Sequence, residues 1–148
     1  MISWICKKFE DLSPYELYAA IQLRNEIFVV EQNCVFQDAD NKDQYCWHLM
    51  GYNADKQLLA YTRLVPAGVS YKEPSIGRVV TAQTERGKGT GRLLMEESIK
   101  QCRILFGEQM IRIGAQLYLK KFYNSLGFKE TGEIYLEDDI QHVEMLLS

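Results

Sequence analysis

Three prolines and ten glycines in 148 residues leave no material for a collagen-like repeat, a proline-rich linker or a low-complexity tract. No apolar run reaches the length needed to span a bilayer, which excludes an integral membrane helix. Met1-Ile2-Ser3-Trp4 precedes Cys6-Lys7-Lys8, so charge follows the apolar residues instead of leading them, and no secretory leader is expected. Cysteine is sparse. Cys6, Cys34, Cys46 and Cys102 form no CxxC pair, and a domain of this size needs no disulfide staples, so they read as reduced packing thiols. A basic excess is also missing: seventeen Lys and Arg face twenty Asp and Glu, for a net charge of −3. Phosphate-backbone binding ordinarily leaves a basic stripe. Neither a nucleic-acid nor a membrane partner is expected, and the chain is expected in the cytoplasm.

Metal ligation fares no better. Cys34, Cys46 and His48 lack the second closely spaced pair of a structural zinc site. Asp38-Ala39-Asp40-Asn41-Lys42-Asp43 opens like a calcium loop. Lys42 then stands at the fifth position, Asp43 where glycine must turn the chain, and Leu49 at the twelfth. No metal is expected, and the acidic stretch reads as a solvated loop.

What is present suits one domain over residues 1–148, with 47% hydrophobic and 25% charged residues. Ile2 to Phe9 has the β-branched and aromatic content of a first strand. Ser13-Pro14-Tyr15-Glu16 sets a hydroxyl at a helix cap, proline at the first helical position and glutamate three after the cap. Leu17, Ala20, Ile21, Arg24 and Phe28 continue at helical spacing, so this helix is predicted to run to about Phe28. Val29 to Gln44 is polar and irregular. Trp47–Asn53 and Gln57–Val65 read as a hairpin around Ala54-Asp55-Lys56, and Ser75–Thr81 as another strand. A helix starts near Gly89 or Gly91, carries Met95, Ile99, Cys102 and Phe106 on one stripe, and ends at Gly107. Met110–Gly114 is a further strand. Leu119, Phe122, Tyr123 and Leu126 follow at helical spacing, with Gly127 at the C-cap. Phe128–Tyr135 and Ile140–Leu147 form a last strand pair joined by Glu137-Asp138-Asp139. Strands cluster instead of alternating with helices, so the fold class is mixed α/β (α+β) with a mostly antiparallel central sheet flanked by helices.

Arg86-Gly87-Lys88-Gly89-Thr90-Gly91 lies between a strand and a helix. Glycine allows φ > 0 and close approach to backbone N–H groups, and a helix N-terminus favours an anion such as a pyrophosphate. Arg86, Lys88 and Arg92 add positive charge. The P-loop pattern fails because Ala82 stands where its first glycine belongs and Gly89 follows Lys88; the GxGxxG pattern fails at Arg92. A tight structural turn with charged decoration is the plainer alternative.

Arg86-x-x-Gly89-x-Gly91 resembles the (Q/R)xxGx(G/A) motif of the GCN5-related N-acetyltransferases, and Tyr123-Asn124-Ser125-Leu126-Gly127-Phe128 is similar to their YxxxGF motif. Leu23 to Gln32, Ile76 to Val80 and Tyr135 to Asp138 resemble the ElaA-like branch. The resemblance implies acetyl-coenzyme A as cosubstrate and direct acetyl transfer to an amine without an acyl-enzyme. It implies that Val79, Val80 and Thr81 pair with the pantetheine arm, and that Arg86 to Arg92 hold the pyrophosphate. Tyr123 would lie near the thioester sulfur. The family often has an Asn near the start of the helix after the fifth strand, with Gln116 nearby here, and Asp139 and Gln141 replace glycine and proline in the branch's EDGIPH tail.

Attack on a thioester needs a neutral amine, and an alkyl amine of pKa about 10.4 costs about 4–5 kcal/mol to deprotonate at neutral pH. Glu31, His48, Glu137, Asp138 and His142 are the candidate bases. Tyr123, with a phenol's proton, is the candidate general acid for the leaving thiolate; the plainer alternative is a core residue on the stripe with Leu119, Phe122 and Leu126. Arg24 stands between the apolar Ile21 and Phe28. It either snorkels, lines the acceptor cleft or braces the acidic loop. Asp38, Asp40, Asp43 and Glu137 to Asp139 would favour a cationic acceptor, a small molecule or a peptide. Strand edges at the two termini leave room for a homodimer. A non-catalytic acetyl-coenzyme A sensor or scaffold is the second reading.

Overall fold

A computed structural model describes residues 1–148 and shows one seven-stranded sheet in the order β1-β2-β3-β4-β5-β7-β6. Its strands are β1 (Ser3–Lys8), β2 (Trp47–Tyr52), β3 (Leu58–Val65), β4 (Ser75–Thr81), β5 (Ile111–Gln116), β6 (Lys129–Glu137) and β7 (Ile140–Leu147). Every neighbouring pair is antiparallel except β4 and β5. The helices are α1 (Pro14–Arg24), α2 (Thr90–Phe106) and α3 (Lys120–Ser125). The element order and the mixed, mostly antiparallel class are those read from the sequence.

Alternation along the strands sorts the core into two faces. Leu64, Ile76, Ile111, Ile113, Ala115, Val143 and Met145 pack with Met95 and Cys102 of α2 and with Tyr123 and Phe128 at α3. Met50, Tyr61 and Val80 point the other way, against Ala20, Leu23 and Ile27. α1 begins with the expected capping box: Glu16 N donates to Ser13 Oγ at 3.1 Å, and Ser13 N to Glu16 Oε1 at 2.8 Å.

The first helix departs from its prediction. The α-helix stops at Arg24, and Asn25–Glu31 continues as a π-helix, with Gln32 N donating to Ile27 O at 3.2 Å and Cys34 N to Val29 O at 3.1 Å. The wider turn adds one residue per hydrogen bond, a feature often found beside functional sites. Part of the segment expected to be irregular is therefore helical.

The acidic loop departs too. Asp38 and Asp43 are buried instead of solvated. Arg24 Nε donates to Asp38 Oδ2 at 2.7 Å and its Nη1 to Asp43 Oδ1 at 2.9 Å. Arg63 Nη1 reaches Asp40 Oδ1 at 2.7 Å and Asp43 Oδ1 at 2.9 Å. Arg78 Nε lies 2.8 Å from Asp38 Oδ1 with its N–H off the line of approach, and Arg78 Nη2 donates to Asp40 Oδ2 at 3.2 Å. Three guanidiniums neutralise three carboxylates, and this ties α1, β3 and β4 to the loop. Of the alternatives for Arg24, bracing the loop is the one observed.

At the far end of the sheet, Asp138 (φ 51°) and Asp139 (φ 62°) both take the left-handed conformation between β6 and β7. Two successive positive φ angles define a type I′ hairpin, which Asp tolerates without the family's glycine.

Candidate active site

β4 and β5 run parallel but pair at one position only, Ser75 with Arg112, where Arg112 N donates to Pro74 O at 3.0 Å. Beyond it the strands part. A bulge interrupts β4 on its β3 side: Arg63 pairs with Gly77 and Tyr61 with Val80, so Thr62 alone opposes Arg78 and Val79. Arg78 takes up the extra residue at φ 51°. Bulges bend a strand and re-aim its side chains, and they recur next to active sites.

The parted strands frame a cleft of about 360 Å³, walled by Val79, Val80 and Thr81 on one side and Ile113, Gly114 and Gln116 on the other. The π-helix supplies Ile27, Phe28 and Glu31, and Tyr123 and His142 line the same space. A parallel sheet opened at the carboxyl ends of its strands is where ligands bind in such folds.

Arg86, which lines the cleft, opens the glycine-rich turn. Gly87 and Gly89 both have φ 76°, and Gly89 caps α2. None of the amides of Gly87, Gly89, Thr90, Gly91 and Arg92 has an acceptor within the protein. A Cβ added at Gly87, Gly89 or Gly91 would meet nothing within 4 Å, so the turn is a bare cradle of N–H groups at a helix N-terminus. Thr90 Oγ1 is turned away and donates to Glu85 Oε1 at 3.0 Å. Arg86 is paired with Glu31, Lys88 lies 3.7 Å from Glu85, and Arg92 donates to Ser125 Oγ at 2.9 Å. An incoming pyrophosphate would compete with Glu31 for Arg86, its side chain more than half exposed.

Tyr123 is fixed by the local chemistry of its motif. α3 lasts six residues, and Gly127 (φ 101°) reverses the chain so that Phe128 N donates to Tyr123 O at 3.1 Å. Phe128 then packs edge-on to the Tyr123 ring at 5.9 Å, with Phe122 at 5.2 Å on the other side. Burial pushes the phenol well above its usual pKa. It stays protonated throughout the physiological range and lines the cleft from within the core.

The candidate bases separate by position. His48 lies outside the cleft. Its Nε2 is 2.9 Å from the Asp43 carbonyl, which can only accept, and its Nδ1 is 2.6 Å from the Tyr61 hydroxyl, so no lone pair is left for a substrate. Arg24 does not line the cleft either. Glu31 lines the cleft but is held by Arg86 and by Gln83 Nε2 at 2.6 Å. Glu137, Asp138 and His142 line it together.

Sequence reading missed Gln32, Cys34, Phe36, Arg78 and Tyr118, which also line the cleft. Gln32 faces Gln116, Nε2 to Oε1, at 3.4 Å. The signal for Arg78 was a charge set beside Val79 and Val80 in a strand, where burial asks for a partner; Asp38 and Asp40 provide it.

A strand-to-helix amide cradle, a splayed parallel pair and a buried tyrosine at the splay define the acyl-coenzyme A N-acyltransferase class. Residues 16–148 match the family model described as Acetyltransferase (GNAT) domain. The chain belongs to this GCN5-related N-acetyltransferase family. It is similar to a solved acyl-CoA N-acyltransferase from Pseudomonas aeruginosa, with 41% identity, full coverage of both chains and a TM-score of 0.95. Solved Escherichia coli ElaA gives 36% identity, full coverage of both chains and a TM-score of 0.92. A UPF0039 protein of Synechocystis is 39% identical over 98% of this chain and 94% of its own. The ElaA-like resemblance thus extends over nearly the whole length.

Proposed function

We propose that this protein moves an acetyl group from acetyl-coenzyme A directly to a primary amine on a small molecule or peptide. The observation that carries the reading is the cleft itself. It holds the Tyr123 phenol along a β4 edge that β5 has left and reaches Arg86, the first residue of the turn that leads to the acceptor-free amides at the start of α2.

The residues fit the cosubstrate. Amides of Gly87 and of Gly89 to Arg92 would hold the pyrophosphate, with Arg86 and Lys88 adding charge. Val79, Val80 and Thr81 would offer backbone groups to the pantetheine arm. The bound thioester supplies an activated acyl carbon and a leaving thiolate. The amine lone pair forms the new C–N bond as the C–S bond breaks, and Tyr123 gives its proton to the departing sulfur. Ile27, Phe28, Ile113 and Leu119 supply apolar wall against which the acyl group would pack.

The experiment is a transfer assay with purified protein and acetyl-coenzyme A against primary amines and lysine-containing peptides, read by mass. A mass increase of one acetyl group on the amine supports the reading. Thioester consumption without an acetylated amine would overturn it.

A further inference from the structure

We infer that His142 is the base that takes the proton of the attacking amine, with Glu137 as the carboxylate that steadies the charge it gains. This rests on the acetyl-transfer reading above and names the proton acceptor which that reading leaves open.

β7 alternation sends Val143 and Met145 into the core with α2 and α3, and therefore turns His142 to the opposite face. There it stands across from Gln116 of β5 and Tyr135 of β6. The imidazole stacks on the Tyr135 ring at 5.6 Å with 29° between planes, which fixes its orientation. Its Nδ1 lies 2.7 Å from the Ile140 carbonyl oxygen. A carbonyl can only accept, so Nδ1 carries the hydrogen and the neutral ring has its lone pair on Nε2.

Nε2 has one charged neighbour, Glu137 Oε2 at 3.6 Å. Two acceptors do not bond, so the pair gains nothing while the ring is neutral. Once Nε2 is protonated, the same distance becomes an ion pair. Glu137 is thus placed to face the positive charge that proton transfer would leave on the ring.

The place is also right. His142 and Glu137 line the cleft that holds Tyr123. Glu137 lines a second depression too, of about 380 Å³, which shares Gly77, Arg78, Gly114 and Asp138 with the cleft. An amine approaching through that depression passes Glu137 before it reaches the thioester. Two protons leave the alkylammonium: Nε2 takes the first and frees the lone pair that forms the C–N bond, the sulfur leaves with the proton of Tyr123, and the tyrosinate takes the second proton from the new amide nitrogen. Solvent then takes the proton from Nε2.

The test compares two nucleophiles at saturating acetyl-coenzyme A: a primary alkylamine, protonated in neutral water, and hydroxylamine, which is already neutral there. His142→Gln is expected to slow transfer to the alkylamine by roughly 10²–10⁴-fold and hydroxylamine acetylation far less, with acetyl-coenzyme A affinity preserved. Imidazole added to His142→Ala is expected to restore part of the alkylamine rate, and Glu137→Gln to lower that rate more than the hydroxylamine rate. Equal losses with both nucleophiles, or no loss with either, would overturn the assignment. A wild-type protein that binds acetyl-coenzyme A but acetylates neither nucleophile would overturn the transfer reading as well.

Discussion

Arg24 Nε donates to Asp38 Oδ2 at 2.7 Å across fourteen positions of chain, and both side chains are almost wholly buried. This bond anchors the acidic loop to the last residue of α1, directly before the π-helix that walls the cleft.

Arg24→Met is expected to destabilise the fold by about 3 kcal/mol, because breaking a buried ion pair leaves carboxylates without their partner. The value falls at the low end of the usual 3–5 kcal/mol range, roughly, since Asp38 keeps Arg78 and Asp43 keeps Arg63. Urea unfolding measures it. A loss of only about 0–1 kcal/mol, as for an exposed pair, would contradict the structural role.

Acid should unfold the protein in two stages. Burial lowers the His48 pKa, outweighing the carbonyl of Asp43, so the unfolded state binds more protons than the native state below the unfolded value of about 6.5. That contribution is complete above the unfolded value and is lost as pH falls toward the folded one. Burial alone would raise Asp40 and Asp43, but Arg63 outweighs it for Asp40, and Arg24 with Arg63 for Asp43; both carboxyls are lowered. Their contribution holds above about 3.9 and is lost as pH falls below it. In urea titrations across pH, His48→Gln should flatten the upper stage and leave the lower one. Wild-type stability that does not change between about pH 7 and pH 5 would contradict the first stage.

Thiol labelling should pick out one cysteine. Burial pushes Cys6 and Cys46 up to about 11 and Cys102 up to about 12, so these three hold little thiolate at neutral pH. Cys34 is raised too, by desolvation and then by Asp138 and Asp139, yet it opens to the cleft. Ellman's reagent is expected to modify Cys34 well ahead of the rest, and saturating acetyl-coenzyme A to slow that phase. A rate indifferent to acetyl-coenzyme A would place Cys34 away from the bound ligand.

Tyr123→Phe keeps the ring contacts with Phe122 and Phe128 and removes only the proton. Turnover is expected to fall roughly 10²-fold or more with acetyl-coenzyme A affinity preserved. Unchanged turnover would return Tyr123 to a purely packing role.

Local signals read well from the sequence. Ser75–Thr81 and Ile140–Leu147 are the observed bounds of β4 and β7, and the Ser13 cap and the Gly127 stop act as their residue types dictate. The glycine-rich turn was legible because φ > 0 and bare amides are properties of glycine and of a helix start. What escaped was non-local. Asp38, Asp40 and Asp43 looked solvated because their guanidinium partners lie up to forty positions away and meet them only after β3 and β4 pair. The π-helix escaped for a related reason, since Asn25–Glu31 keeps an α-like pattern and the wider turn is imposed by packing. His48 could not be told from His142 by residue type; only their neighbours, a pair of occupied nitrogens against one free lone pair, separate them.

The most direct measurement is calorimetric titration with acetyl-coenzyme A of the wild type and of Gly91→Val, beside Gly89→Val. Gly89 has φ 76°, so valine there also strains the backbone, whereas Gly91 has open space and no positive φ and should accept valine without unfolding. The expected result is saturable binding by the wild type, weakened at least roughly tenfold in both variants, because the added side chains fill the amide cradle proposed to hold the pyrophosphate. No binding by the folded wild type, or equal binding by all three proteins, would contradict an acyl-coenzyme A site at the start of α2.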